Sequence, residues 1–366
     1  MKPFHGSYVP DDVTFLLKPV KIRPTDLEEK ERAIQSGQRH YSEMLSVEKT
    51  PDKRYMQLFY RALDQNQVKF ACHLASLART LAQRPGREVV LVSLARAGTP
   101  VGVLLHRALT RLGRKSVHYS ISIIRDRGVD AVALDHILTK AGHSDRDVVF
   151  IDGWTGKGAI STELASTIAD YNAARGTALD PALVVVSDLA GVAGLAATAD
   201  DYLIPSAILN AIISGLVSRT VLSDQYVGPG DFHACAFYEE KRKEDLSRFF
   251  VDALTPLIVS ALANPKDSPV CLWDEGKRAC LRRHSEEFIA LAMQRYGVTD
   301  RNRVKPGIGE STRALLRRLP DRLIVRDPDA EDVRHLVNLA TTHAVTIEHA
   351  ADLPYRAAVI IKTLGD

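Results

Sequence analysis

Between residues 88 and 188 the chain alternates short apolar, β-branched runs with stretches of helical period. "EVVLVSL" is followed by "PVGVLLHRALTRLG", "SVHYSISII" by "DAVALDHILTKAG", and "DVVFID" by "KGAISTELASTIADYNAA"; "ALVVVSD" then closes the series. Runs this short and this apolar suit strands buried on both faces, and a helix between successive strands makes neighbouring strands parallel. The pattern predicts an α/β fold, a parallel sheet with helices on its faces. In such sheets ligands bind beyond the carboxyl ends of the strands. Three of these runs end in loops rich in chemistry: "SLARAGTP", "IDGWTGKG" and "SDLAG".

The flanking regions divide less sharply. Residues 1–87, with amphipathic runs "YMQLFYRAL" and "FACHLASLARTLA", read as a helical N-terminal hood. The α/β domain is expected over 88–263, ending in a helix across 240–263. "NPKDSP" breaks the pattern, and 264–298 reads as a helical connector. Residues 299–366 form a small unit of their own: loop, helix 310–319, strand "RLIVRD", helix 329–343, strand "AVTIEH", then "PYRAAVIIKTL". In its second helix Val333, Leu336, Val337 and Ala340 recur at i, i+3, i+4, i+7, one apolar stripe.

Composition sets outer limits. With 45% apolar and 25% charged residues the chain is an ordinary globular protein rather than a disordered one. The start "MKPFHGSYVPDDV" has no apolar signal core, and "SAILNAIISGLV" is too short to span a bilayer, so a cytoplasmic protein without membrane contact is expected. The four cysteines form no CxxC pair, and disulfides are not expected. Cys271, Cys280 and His284 lack zinc spacing. Charge is uneven: residues 301–326 hold eight Lys/Arg and two acids, net +6, on a chain of net +3, so the remainder sums to −3. A basic segment on a mildly acidic body points to a local anion or nucleic-acid contact, or to a solvated helix face.

The glycine loop "DGWTGKGA" invites a nucleotide reading. It is not a Walker A loop, because Gly158 rather than a hydroxyl follows Lys157, and Gly153 is one residue too close. A strand ending in an acid and a Thr/Gly loop entering a helix can instead cradle a phosphate on helix N-terminal amides. In that reading the amides of Thr155, Gly156, Lys157, Gly158 and Ala159 face the phosphate. Thr155 donates to it and Lys157 neutralises it.

This loop and the earlier turn "SLARAGTP" resemble those of type I phosphoribosyltransferases, which bind phosphoribosyl pyrophosphate (PRPP). That resemblance implies that Asp152 accepts from ribose hydroxyls and that Arg96 with the amides of Ala97, Gly98 and Thr99 holds a leaving pyrophosphate. The chain more widely resembles a tellurite-resistance and stress-operon phosphoribosyltransferase family, also labelled StiP-type cysteine protease. The resemblance rests on "GSYVPDDVTFLLKPV", "GQRHYSEMLSVEKTP", "VSLARAGTPVGVLL", "HYSISIIRDRGVD", "FIDGWTGKGAI" and "YLIPSAILNAIISGLVSRTVLS". It implies pyrophosphate displacement from PRPP by an unidentified base. Arg96 and the loop arginines Arg125 and Arg127 would stabilise the leaving group, with Mg2+ held by Asp152 through substrate or water. Gly153 stands where type I enzymes usually carry a second acid. His40, Ser42, Glu43 and Asp188 are candidates for the base pocket.

"VKPGIGESTRALLRR" resembles the helix-entry loop of Pelota-like and kink-turn-binding proteins. Gly307, Glu310, Thr312 and Arg313 match that pattern, with Lys305 and Arg317 adding charge. Gly309 occupies the place of the RNA-reading Asn. RNA is therefore an expected partner, and a homodimer is compatible with the sequence. Two alternatives remain open: a non-catalytic nucleotide sensor that signals through RNA, and a cysteine protease using His233 and Cys235, for which the sequence offers no evident Asn or Asp partner.

Overall fold

The computed structural model describes residues 3–48 and 50–363. In chain order the body contains β1 (Thr14–Phe15), β2 (Lys18–Val20), α1 (Leu27–Gln35), α2 (Lys53–Ala82), β3 (Val89–Leu94), α3 (Gly98–Arg111), β4 (Ser116–Ile121), β5 (Ile123–Ile124), β6 (Gly128–Val129), α4 (Ala131–Asp135), β7 (Val148–Ile151), β8 (Trp154–Thr155), α5 (Ala159–Arg175), β9 (Leu183–Asp188), β10 (Leu195–Thr198), β11 (Val217–Val221), β12 (Ala234–Phe237) and α6 (Ser247–Ala263). The C-terminal unit adds α7 (Glu275–Tyr296), β13 (Val304–Pro306), α8 (Gly307–Arg317), β14 (Pro320–Val325), α9 (Arg334–Thr342), β15 (Thr346–His349) and β16 (Ala357–Ile361).

The main sheet runs β1-β4-β3-β7-β9-β10, with β8 also paired to β9, and every one of these pairings is parallel. The mixed α/β expectation with a mostly parallel centre therefore holds. Strands β3, β7 and β9 are buried at every position, which is why their sequences show no polar alternation. One apolar layer joins α2, α3 and α6 to the sheet; another puts Leu134, Leu164, Ile168 and Tyr171 against its opposite face. From β3 the chain moves to β4 on one side and later to β7 on the other. That reversal opens a crevice between the loops after β3 and β7, the place where such sheets bind ligands.

Residues 1–87 are less helical, and less separate, than their sequence suggests. β1 is an edge strand of the main sheet, and β2 joins β12 and β11 in a second sheet. Helix α2, 30 residues long, packs into the main core through Phe59, Phe70, Leu74 and Leu77. Short extended pieces at sheet edges bury little and leave a weak periodic signal, so local pattern misses them. In the C-terminal unit the sheet order is β13-β16-β14-β15. Strand β13 lies where the sequence suggested loop. α7 covers one face of this sheet through Ile289 and Ala292, which pack with Val304 and Ile324. On the other face the apolar cluster is continuous from Leu336 and Leu315 through Ile308 into the body.

Candidate functional site at the seam between body and C-terminal unit

The crevice at the β3/β7 strand ends is filled by α8. Its N-terminal turn carries Gly307, Gly309 and Glu310, and each meets the body. A Cβ on Gly309 would lie 2.3 Å from Trp154 Cε2. The turn therefore rests flat on the indole, and only glycine allows that approach. A Cβ on Gly307, whose φ is +81°, would meet Leu189 at 2.5 Å. In the other direction, a Cβ on Gly156 would strike Glu310 Cγ at 2.6 Å. Arg313, one turn further along α8, stacks its guanidinium 4.6 Å from the Trp154 ring centre.

Charged side chains fasten the same seam. Lys157 donates to the carbonyls of Arg301 (2.9 Å) and Val304 (3.1 Å), and desolvation with Lys305 nearby lowers its pKa to about 6. Burial also lowers Lys305, to about 8, although Glu310 opposes it from 3.9 Å. For Glu310 burial pushes the carboxyl up, but Lys305, Arg313 and Lys157 outweigh it, and the net shift is downward. Asp201 accepts from the amides of Ile308 (2.9 Å), at the start of α8, and Arg356 (2.8 Å), just before β16, and burial lifts it to about 6. Asn210 places one oxygen where both Arg96 (2.5 Å) and Arg317 donate to it.

The residues expected to cradle phosphate have other partners. Asp152 accepts from its neighbour Gly153 N at 2.7 Å, and burial raises it to about 6 against the pull of Arg313. Thr155 Oγ1 donates to Asp188 at 2.5 Å. Asp188 is fully buried and also accepts from the amides of Ala190, Val192 and Ala193, so it shapes a loop rather than facing a base. Gly158, at φ +83°, is the left-handed entry to α5, which begins at Ala159. In the earlier turn, Ala97 lies beside Gly153, and Gly98 sits where a Cβ would be 2.4 Å from Ile151 O. The Thr99 amide donates to Arg96 O, and its hydroxyl bonds Ser120 at 2.9 Å. Arg96 is 9% exposed; its Nη1 has no hydrogen-bond partner and lies 4.0 Å from Glu48.

A second group does assemble, away from the seam's centre. Arg127 pairs with Glu43 at 3.1 Å, the Arg125 amide donates to Tyr41 Oη at 2.7 Å, and His40 bonds Ser42 at 2.7 Å while its Nε2 lies 3.8 Å from Asp126. The 39–43 segment and the β5–β6 hairpin thus hold each other. Among the residues expected to bind RNA, Thr312 is buried and bonded to Ile308 O and His335. Gly307, Gly309, Glu310, Arg313 and Arg317 face the body, and Lys305 lies half-buried beside Glu310. Sequence reading missed Trp154, Asp201 and Asn210. The signal for Trp154 was present, a large aromatic inside a glycine loop.

Among the described residues no group of three or more His, Cys, Asp or Glu is arranged to hold a metal ion. The loop after β7 offers one carboxylate, Asp152, which burial lifts to about 6. No helix is long and apolar enough to cross a membrane among the described residues.

The thiols are placed as follows. Cys235 lies in β12 and is fully buried, which pushes its thiol far up. Burial also raises Cys72 and Cys271; Cys280 is exposed. His233, two residues before Cys235, has its Nδ1 3.0 Å from Ser122 Oγ, and its amide donates to Asp130 Oδ2 at 2.6 Å. Asp130 is the acidic neighbour that the sequence did not reveal. Burial lowers His233 and raises Asp130.

These features define a two-part protein: a parallel α/β body clasped by a small mixed α/β unit through one glycine-lined seam. The chain belongs to the StiP family. Residues 6–255 match the family described as tellurite-like stress resistance cysteine protease StiP, and residues 275–363 match the PELOTA RNA binding domain. A protein of Acinetobacter baylyi named "Cysteine protease StiP" is 42% identical over 372 residues, spanning 99% of this chain and 95% of that one. A crystal structure of an aromatic aminotransferase from Pyrococcus horikoshii OT3 shares 13% identity over 77% of this chain and 74% of its own, at a TM-score of 0.18, too low to carry any argument.

The expected phosphoribosyltransferase activity is corrected by these matches. Family and relative are both named as cysteine proteases, and nothing supports PRPP transfer. The physical reason the loops misled is visible in the seam. A glycine loop that lets backbone approach a phosphate equally lets it approach another domain's helix, and here Lys157 and Gly156 meet α8. The stress-resistance part of the expectation agrees with the family's description.

Proposed function

We propose that this chain is a stress-resistance peptidase, latent as folded, with Cys235 as its nucleophile. The name of its relative supplies the reaction class. Two thiols, Cys72 and Cys235, fall within the span matched to the family. The observation that carries the choice is the buried His233–Asp130–Ser122 cluster, two residues from Cys235 along the chain. Positions 233 and 235 are spaced to share one face of an extended strand. Burial favours the neutral imidazole, the form able to take a thiol proton. Cys72 has His73 next to it on α2, but adjacent helical positions do not face each other, and His73 is bonded to Tyr202 at 3.1 Å. The same burial that keeps His233 neutral keeps the Cys235 thiol protonated and closed to a peptide. Hydrolysis therefore requires the cover of β12 to move. The test is cleavage of labelled casein by wild type, Cys235→Ser and Cys72→Ser, each with and without mild urea. Loss confined to Cys235→Ser is expected. Activity surviving that substitution, or none in wild type under either condition, removes the reading.

A second reading concerns the C-terminal unit. The match to an RNA-binding domain and the net +6 of residues 301–326 favour RNA binding. Because the helix-entry loop is engaged in the seam, contact with RNA falls to the surfaces that the seam leaves open.

A further inference from the structure

Helices α2 and α9 face each other across a groove of about 370 Å³. On α2, Arg54, Gln57 and Arg61 follow at i, i+3 and i+7; on α9, Arg334, Asn338 and Thr341 follow at i, i+4 and i+7. Each set lies along one helix face, and both sets line this groove. The two helices belong to different units, yet they present the same polar chemistry to each other: three guanidiniums, two carboxamides and a hydroxyl, with Leu58 and Val337 lining the groove beside them. No carboxylate lines the groove. Arg334 is bound to Glu331 of its own turn at 2.6 Å. Among the described residues Arg54 and Arg61 have neither a hydrogen-bond nor an ion-pair partner. Facing cations with nothing between them repel, and an anion inserted there converts repulsion into attraction on both walls. Guanidinium forks match phosphate geometry, and carboxamides and hydroxyls donate to phosphate as well.

We propose that this groove is a phosphodiester-binding track, and that it carries the RNA contact of the C-terminal unit; the proposal rests on the RNA reading above. Arg54 to Arg61 spans about 10 Å of helix at about 1.5 Å per residue, room for roughly two or three phosphates at about 3.4 Å of rise each. Binding of single-stranded RNA should then show a log–log salt slope of about −1.4 to −2.1, at about −0.7 per phosphate.

The test is fluorescence anisotropy on the full chain with labelled single-stranded RNA, competed by unlabelled inorganic polyphosphate, over a salt series. Wild type is compared with Arg54→Glu/Arg61→Glu, with Arg334→Glu, and with Arg111→Glu, a change at an exposed position on α3 that matches Arg334→Glu in charge. The double variant should lose at least tenfold in affinity and flatten the slope by about 1.4, while Arg111→Glu stays within twofold. Wild type, the double variant and Arg111→Glu should share one thermal midpoint, whereas Arg334→Glu also loses its pair with Glu331. RNA binding unaltered in the double variant overturns the groove and leaves the RNA reading standing. Polyphosphate binding that the groove variants abolish, with RNA not bound at all, keeps the anion site and overturns RNA as its ligand. If neither polyanion binds, both the groove and the RNA reading fall.

Discussion

Replacing Gly309 by Asn would put a side chain where the first turn of α8 rests on Trp154. The Cβ would start 2.3 Å from Trp154 Cε2, with carbon on carbon and an indole that is itself wedged beneath Arg313. Inserting atoms into such a contact costs about 1–3 kcal/mol. Displacing Arg313 from the ring forfeits a further ~0.5–2 kcal/mol. A central value of roughly 3 kcal/mol shifts the closed-to-open ratio by about 150-fold. The open chain frees Lys157, which the closed seam holds against the Arg301 and Val304 carbonyls, so tryptic cleavage in the loop after β7 should quicken by a similar factor. Trp154→Ala removes the obstruction. In the double variant Gly309→Asn/Trp154→Ala the steric part of the loss should vanish, and a double-mutant cycle would read a coupling of more than about 1 kcal/mol. If Gly309→Asn leaves cleavage unchanged, or Trp154→Ala gives no relief, then glycine is not there to admit the indole and the account of the seam is wrong.

Three further outcomes follow from the same structure. Asp201→Ala would strand the Ile308 and Arg356 amides at about 1–3 kcal/mol each, and urea unfolding should show the C-terminal unit separating before the body. Lys157 and Lys305 are held at about 6 and about 8, so between those values and 10.5 the unfolded chain binds more protons. Stability then rises with pH across that window; the urea midpoint should climb from about pH 7 to about pH 9, and Lys157→Met should flatten part of the climb. Gly98→Ala would press a methyl to 2.4 Å from Ile151 O, costing about 1–3 kcal/mol. It should lower the melting temperature of the body, as followed by circular dichroism.

The alternating β and α runs over residues 88–188 determined the parallel sheet and the order of its elements, because strands buried on both faces must be apolar throughout and helices must show their period. Beyond residue 299 two helices and two strands were legible, from an apolar stripe and two short β runs, but α7, read as part of a connector, packs through Ile289 and Ala292 onto that unit's sheet. The edge pieces at 14–15, 18–20 and 304–306 were not, since two or three residues contain no period to read. The glycine loop after β7 showed that something approaches its backbone closely. Sequence cannot say whether the approaching group is a phosphate or a helix, because both need the same missing Cβ and the same lysine. Only the tertiary structure shows the helix, by bringing Gly309 and Glu310 from more than 140 residues away onto Trp154 and Gly156. His233 likewise stood near Cys235 in the sequence, but its acidic neighbour Asp130 lies 103 residues earlier. The fold alone joins them, as the β5–β6 hairpin passes β12.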